Sequence, residues 1–217
     1  ICVTHPRHIP YLNNIPAAAL NGAYIAVDNV QCEQSLVTGA YVTPTVSLKN
    51  VGSQAANDIN VELSTESEYI EMILSNATIP SIAPDAVYEI ADAFAFNVDV
   101  NIPNNTRVRF VLTCTSGEDV WESNINLTFG APEFVVPNIT NTELVAGNNA
   151  TITFDITNAG SADANECIFE VYSSSNDITI SDNTYTIPSI AAGQTYSLPV
   201  NITSRSEERR VGKECRS

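Results

Sequence analysis

Along most of this chain apolar residues alternate with polar ones, at a period of two rather than 3.6. Val42, Val46 and Leu48 mark one such run, Ile59, Val61 and Leu63 a second, Val108, Phe110 and Leu112 a third, and Ile152, Phe154 and Ile156 a fourth. Side chains two positions apart share one face of a strand, so each run predicts a half-buried β-strand. Further strands are expected over 94–100, 121–129 and 196–201. No stretch keeps helical spacing for long. Clusters of Asn, Gly, Ser, Asp and Pro separate the runs, and Thr115-Ser116-Gly117-Glu118-Asp119 reads as a hairpin loop.

The pattern occurs twice. Shifted by 108 residues the chain falls into register with itself without net gap: Asn50-Val51-Gly52-Ser53 answers Asn158-Ala159-Gly160-Ser161, and Ile79-Pro80-Ser81-Ile82-Ala83 returns unchanged as Ile187-Pro188-Ser189-Ile190-Ala191. Gly39 answers Gly147, and Ala56-Asn57 answers Ala164-Asn165. Two tandem copies of one all-β sandwich domain follow, over residues 24–130 and 131–204, with 1–23 a linker or the end of a preceding domain. Gly52 and Gly160 are expected to take positive φ in sharp turns. In the repeated pentapeptide the Pro, lacking a donor, suits an edge or a strand entry, and the two Ile residues anchor in the core. Ala83-Pro84-Asp85-Ala86 and Ala191-Ala192-Gly193-Gln194 read as turns. By the same shift the second copy should run to about residue 238, so its last two strands are expected to be missing. Open strand edges would leave that half marginal or aggregation-prone.

Residues 205–217, from Arg205 to Ser217, match in full the translation of a common short-read sequencing adapter and are set aside as an artefact. This changes the charge. The whole chain carries nine Lys and Arg against 25 Asp and Glu; residues 1–204 keep four basic residues (Arg7, Lys49, Arg107, Arg109) and 22 acidic ones, a net charge of −18. So acidic a surface repels phosphate backbones and anionic lipid, which argues against nucleic-acid or membrane-surface partners. No apolar run approaches the roughly 18 residues of a transmembrane helix, and no signal-peptide pattern opens the chain. Both ends read as fragment boundaries.

Val46-Ser47-Leu48-Lys49-Asn50-Val51-Gly52-Ser53, the Ile-Pro-Ser-Ile-Ala segments, and Phe110-Val111-Leu112-Thr113 followed by Asp119-Val120-Trp121 resemble bacterial immunoglobulin-like modules of the cell-adhesion-related (CARDB) type. The resemblance covers roughly residues 24–204, and similar modules follow the catalytic domain of gingipain-type cysteine peptidases. It implies two immunoglobulin-like β-sandwiches, the second truncated, in a secreted or cell-surface protein. Pro10-Tyr11-Leu12 is similar to the close of a gingipain-type catalytic domain. A one-base frame slip across Val3–Pro6 would restore the Asp-Pro-Ser that such domains carry there, which makes residues 1–8 suspect.

Candidate chemistry is sparse. Cys215 lies in the adapter-like tail and Cys2 in the doubtful start. Cys167 takes the place of Ile59 and is expected as a core thiol; Cys114 alternates with Val108, Phe110 and Leu112 and should also point inward. Cys32 could pair with Cys114 if the first and late strands meet. A cysteine nucleophile needs a base, and the two histidines, His5 and His8, are remote from the domain cores. Pro6 and Pro10 disfavour a helix that would present them jointly to a metal. Glu66 and Glu68, or Asp85, Glu89 and Asp92, could hold Ca²⁺, yet no Asp-x-Asp-x-Asp-Gly order is present and solvated faces explain them better. Trp121, Tyr69, Tyr88, Tyr172 and Tyr185 read either as a sugar-stacking platform or as packing residues. Six Asn-x-Thr sequons (Asn76, Asn104, Asn126, Asn138, Asn149, Asn201) are a by-product of Thr-rich strands.

No catalytic, cofactor-binding or metal-binding residue is assigned, and no cofactor is expected. The expected role is a non-catalytic accessory or spacer region, partnered by a preceding catalytic domain in the same chain. The alternative is an adhesin or carbohydrate-binding array that contacts an extracellular protein or glycan.

Overall fold

A computed structural model describes residues 2–3, 11–12, 21–140 and 143–205, the first two pairs as backbone only. It is all-β, and its antiparallel sheets form immunoglobulin-like sandwiches. A short pair, β1 (Cys2–Val3) and β2 (Tyr11–Leu12), comes first. Then follow β3 (Ile25–Gln31), β4 (Tyr41–Val42), β5 (Thr45–Asn50), β6 (Ala56–Thr65), β7 (Ile70–Leu74), β8 (Asn76–Ile82), β9 (Val87–Ile90), β10 (Ala95–Val98), β11 (Thr106–Ser116) and β12 (Asp119–Phe129). The last six are β13 (Phe134–Thr140), β14 (Asn149–Asn158), β15 (Ala164–Glu170), β16 (Ile178–Ile180), β17 (Thr184–Ile190) and β18 (Thr195–Ser204). By Cα proximity residues 1–35, 41–97 and 108–127 form one compact unit, and residues 36–40, 98–107 and 128–217 a second.

The first copy has one layer in the order β12-β11-β6-β8. The other layer is cut into β3-β5-β9 and β4-β10-β7. In the second copy the corresponding layer is a single sheet, β13-β14-β18-β16, so β14 answers β4 with β5, and β18 answers β9 with β10. The remaining pair, β15-β17, answers β6-β8. No strand among the described residues answers β11 and β12. Those two form a hairpin whose turn is Gly117 and Glu118, with Gly117 at φ +59°, where the sequence placed a hairpin loop. Facing side chains fill the interior; the Phe96 and Phe110 rings, from opposite layers, sit 5.0 Å apart.

The residue that organises each copy is an asparagine. Asn50 and Asn158 are both 0 % exposed, and each carboxamide makes four hydrogen bonds. Asn50 Oδ1 accepts from the amides of Gly52 (3.0 Å) and Tyr24 (3.1 Å), while Nδ2 donates to the carbonyls of Gln54 (2.7 Å) and Ile82 (3.0 Å). In the second copy Asn158 Oδ1 accepts from Gly160 (3.0 Å) and Glu133 (3.1 Å), and Nδ2 donates to Ala162 (2.9 Å) and Ile190 (3.0 Å). One side chain thereby fixes its own turn, the chain entering the domain and the end of the pentapeptide strand.

Gly52 and Gly160 correct the sequence-based expectation. Neither has positive φ. A Cβ on Gly52 would stand 2.3 Å from the Gly22 carbonyl oxygen and 2.5 Å from the Tyr24 amide nitrogen; on Gly160 it would stand 2.2 Å from the Ala131 carbonyl oxygen. Glycine is needed because two backbones touch. Positive φ falls on other repeated positions: Gly39 and Gly147, Asp85 and Gly193, and Asp58 and Glu166.

That last pair explains the spacing in the pentapeptide. Asp58 (φ 49°) lies on β6 across from Pro80, and Glu166 (φ 52°) on β15 across from Pro188. Proline cannot donate to the ladder, the opposing residue turns left-handed, and the in-out alternation slips on both strands together. Ala56 and Ile59, three apart, are therefore both buried, as are Ile79 and Ile82 opposite them. Pro80 and Pro188 sit on edge strands β8 and β17, the placement expected for a residue without an amide proton.

Asn158→Ala, which strips partners from four backbone groups, is expected to cost about 3 kcal/mol or more in urea unfolding. Gly160→Ala should cost more than about 2 kcal/mol, because backbone rather than a flexible side chain must move. The same changes at Asn50 and Gly52 should shift the fluorescence transition of Trp121, the one tryptophan. Glu166→Gly should instead stabilise by up to about 1 kcal/mol, since glycine adopts the left-handed region without the Cβ penalty.

Candidate functional site

Cys114 and Cys167 lie inside, where alternation and the repeat place them. Cys114 on β11 and Cys167 on β15 are buried, Cys32 is half-buried, and all three are free. Cys32 and Cys114 thus form no disulfide. Burial pushes the Cys114 thiol up to about 11, and it also raises Cys32. A thiol that holds its proton at neutral pH is a poor nucleophile. His5 and His8 lie outside the described residues, as do Val3–Pro6 in their side chains and residues 206–217.

The acidic candidates do not converge. Asp85 occupies the left-handed turn position that is Gly193 in the second copy, and its amide donates to the Asn50 carbonyl at 2.9 Å. Among the described residues no group of three or more His, Cys, Asp or Glu side chains is placed to hold a metal ion. The aromatic candidates disperse as well. Trp121 is buried, Tyr69 and Tyr185 are half-buried, and Tyr88 and Tyr172 are exposed. The Tyr172 hydroxyl donates to Glu170 at 2.9 Å, and that bond raises its pKa.

Two clefts, both in the second unit, carry polar groups. One, of about 500 Å³, is lined by Val100–Asn104 and Ala131–Glu133. Asn104 Oδ1 there accepts from the Ala131 amide (3.2 Å) and from the Ser161 amide (3.2 Å) and hydroxyl (2.6 Å), so this sequon asparagine is a structural brace. The other, of about 430 Å³, lies on the outer face of β14 and β18 and includes Asn149, Thr151, Asn201 and Thr203. Its groups bond to one another: Thr151 Oγ1 donates to Asn201 Oδ1 and Thr203 Oγ1 to Asn149 Oδ1, each at 2.8 Å. Sequence reasoning missed this ladder, whose signal is the alternate Asn and Thr on two strands that the repeat places side by side.

These features are those of an immunoglobulin-like module held by internal hydrogen bonds, and comparison with known families agrees. Residues 131–212 match the CARDB family model. No curated protein matches the chain. Among solved structures, alpha-2-macroglobulin of Escherichia coli, from domain MG7 to its C-terminus, is 12 % identical over 69 % of this chain at a TM-score of 0.37. This chain spans 20 % of that one. A CARDB domain from Pyrococcus furiosus, solved in complex with di-metal ions, is 13 % identical, with 55 % of this chain and 98 % of that one covered and a TM-score of 0.32. The secreted serine protease VesC of Vibrio cholerae is 13 % identical, with 82 % and 47 % covered and a TM-score of 0.30. None of these lends its ligand or activity to this chain. Cys167, the sole described thiol of the CARDB-matching stretch, is a core residue on β15.

The buried thiol of the preceding copy has a measurable consequence. Below its ordinary value of 9.0 the Cys114 thiol is protonated whether the chain is folded or not. As pH rises from 9.0 the unfolded chain ionises first, while the folded chain holds its proton until about 11, so stability falls across that window. Cys114→Val removes this contribution. The stability of the variant relative to the parent should rise with pH between these values in urea titrations, and a pH-independent difference would refute the assignment.

Proposed function

We propose that this chain is a non-catalytic accessory region of a secreted bacterial protein, in which immunoglobulin-like modules brace or space a gingipain-type cysteine peptidase domain. The observation that carries the reading is what the two copies share. Their common features are the buried asparagine, the glycine at a backbone contact, and the left-handed residue across from proline. All are architectural. Exposed positions outside the repeated motifs include clear differences: Asp85 is answered by Gly193, and Asn60 by Ile168. The buried thiol of β11 is protonated at neutral pH. The net charge of −18 over residues 1–204 adds to the case against nucleic-acid or lipid partners.

A second reading, a glycan-binding or adhesive array, is favoured by the Asn and Thr cleft on β14 and β18, whose amides and hydroxyls match the hydrogen-bonding of sugars. Long-read sequencing of the source locus separates the two. The accessory reading expects an in-frame α/β domain with a Cys and His pair ahead of Ile1. Further 108-residue copies without such a domain would overturn it in favour of the adhesive reading, and glycan-array binding would become the assay.

A further inference from the structure

Between residues 21 and 204 the chain holds 22 Asp and Glu but three basic residues, Lys49, Arg107 and Arg109. Those acids, about one residue in eight, are half of the roughly one-quarter that charged residues occupy in a typical domain. The net charge therefore arises from missing bases and not from added acids, which separates this surface from one made acidic for solubility or salt. The second copy, residues 131–204, has no Lys, Arg or His at all. Other residues take over what lysine usually does on a sheet: Asn, Thr and Ser dominate the outer faces of β14 and β18, and Pro80 and Pro188 guard the edge strands β8 and β17. The three bases that remain lie on strands with a neighbour on either side. Lys49 on β5 is opposite Ala26 of β3 and Val87 of β9. Arg107 and Arg109 are on β11, which runs between β12 and β6, and the Arg109 carbonyl accepts from the Thr65 hydroxyl at 2.8 Å. Acidic residues are placed differently: Glu33, Glu66 and Glu68 are exposed in the connections after β3 and β6.

We propose that this surface is built to withstand endopeptidases that cleave after Lys or Arg. Such an enzyme sets two conditions: a stretch of backbone free to lie extended in its cleft, and a basic side chain at the cut. Exposed connections meet the first, as between β15 and β16, where Tyr172 to Asp177 are six exposed residues in a row, but they offer no base. Lys49, Arg107 and Arg109 meet the second and are withheld from the first, because cutting at them requires a sheet to come apart. The partner implied is a peptidase of basic specificity that shares the chain's surroundings. The inference is independent of the proposed function, since it holds whether the region braces a catalytic domain or forms an array.

Limited proteolysis of the full chain, with trypsin and separately with a glutamyl endopeptidase and with cut sites read by mass spectrometry, tests the proposal. Trypsin should trim the ends, at Arg7 and from Arg205 onward, and leave the rest whole, while the glutamyl enzyme cuts after Glu33, Glu66 or Glu68. In Ser174→Lys, trypsin should cut after residue 174 at least about a hundredfold faster than it cuts the parent after Lys49, Arg107 or Arg109, since a loop needs only local opening. Intact Lys49, Arg107 and Arg109 in that digest show that the variant is folded, and Ser35→Lys repeats the test in the first copy should Ser174→Lys unfold. Cleavage of the parent at its three bases as fast as at the introduced lysines would overturn the proposal. So would connections closed to both enzymes, with neither introduced lysine cut, because conformation and not the withheld side chain would then protect the chain.

Discussion

Each copy of this fold depends on a carboxamide that has no access to water. A buried asparagine without partners would cost several kcal/mol, so its position is tolerable only because two donors and two acceptors of the main chain converge on it. Those groups come from three separated segments: the turn after the residue itself, the chain entering the domain, and the pentapeptide strand 32 residues on. Each would be orphaned by any rearrangement that moved its segment away. Glycine two residues later follows from the same constraint, because the entering chain must approach closely enough to donate to Oδ1, and at that distance a Cβ meets backbone.

Much of the fold was legible in the sequence because alternation and repetition are local or self-referential signals. Period-two runs fixed which faces of β5, β6 and β11 are buried, and the 108-residue shift aligned the copies without any homologue. The signals failed where one letter serves two physical demands. Gly52 and Gly160 were rightly marked as obligatory, but for φ rather than for contact. Asp58 and Glu166 carried no mark at all, since acidic residues rarely announce a left-handed backbone. Their trace was a break in rhythm: the two Ile residues of the pentapeptide stand three apart, a spacing that an unbroken strand cannot bury on one face. Nor could the role of Asn50 be read, because its partners at Tyr24 and Ile82 become neighbours only after folding.

The candidate sites were less legible because residue type carries little information without an environment. Cysteine is a nucleophile or a small core hydrophobe depending on whether its thiolate is stabilised. Alternation placed Cys114 inside and the repeat placed Cys167 there, and for Cys114 desolvation decides the chemistry. The acidic residues show the converse. They are numerous enough to suggest cation sites in many places, yet distributed over turns and outer faces they act mainly through the field of the whole molecule.

Catalytic and ligand-binding centres usually hold polar groups that the substrate, rather than the protein, completes. Among the described residues no buried side-chain nitrogen or oxygen lacks a hydrogen-bond partner. The cleft asparagines and threonines are paired with one another across β14 and β18, so a sugar entering there would exchange bonds rather than satisfy vacant ones, and its net gain would be small. Among the described residues the second copy buries less of its apolar surface than the first: Phe154, Phe169 and Val171 are half-buried where Val46, Val61 and Leu63 are buried. What the two copies share is the framework around Asn50 and Asn158, four hydrogen bonds on each carboxamide.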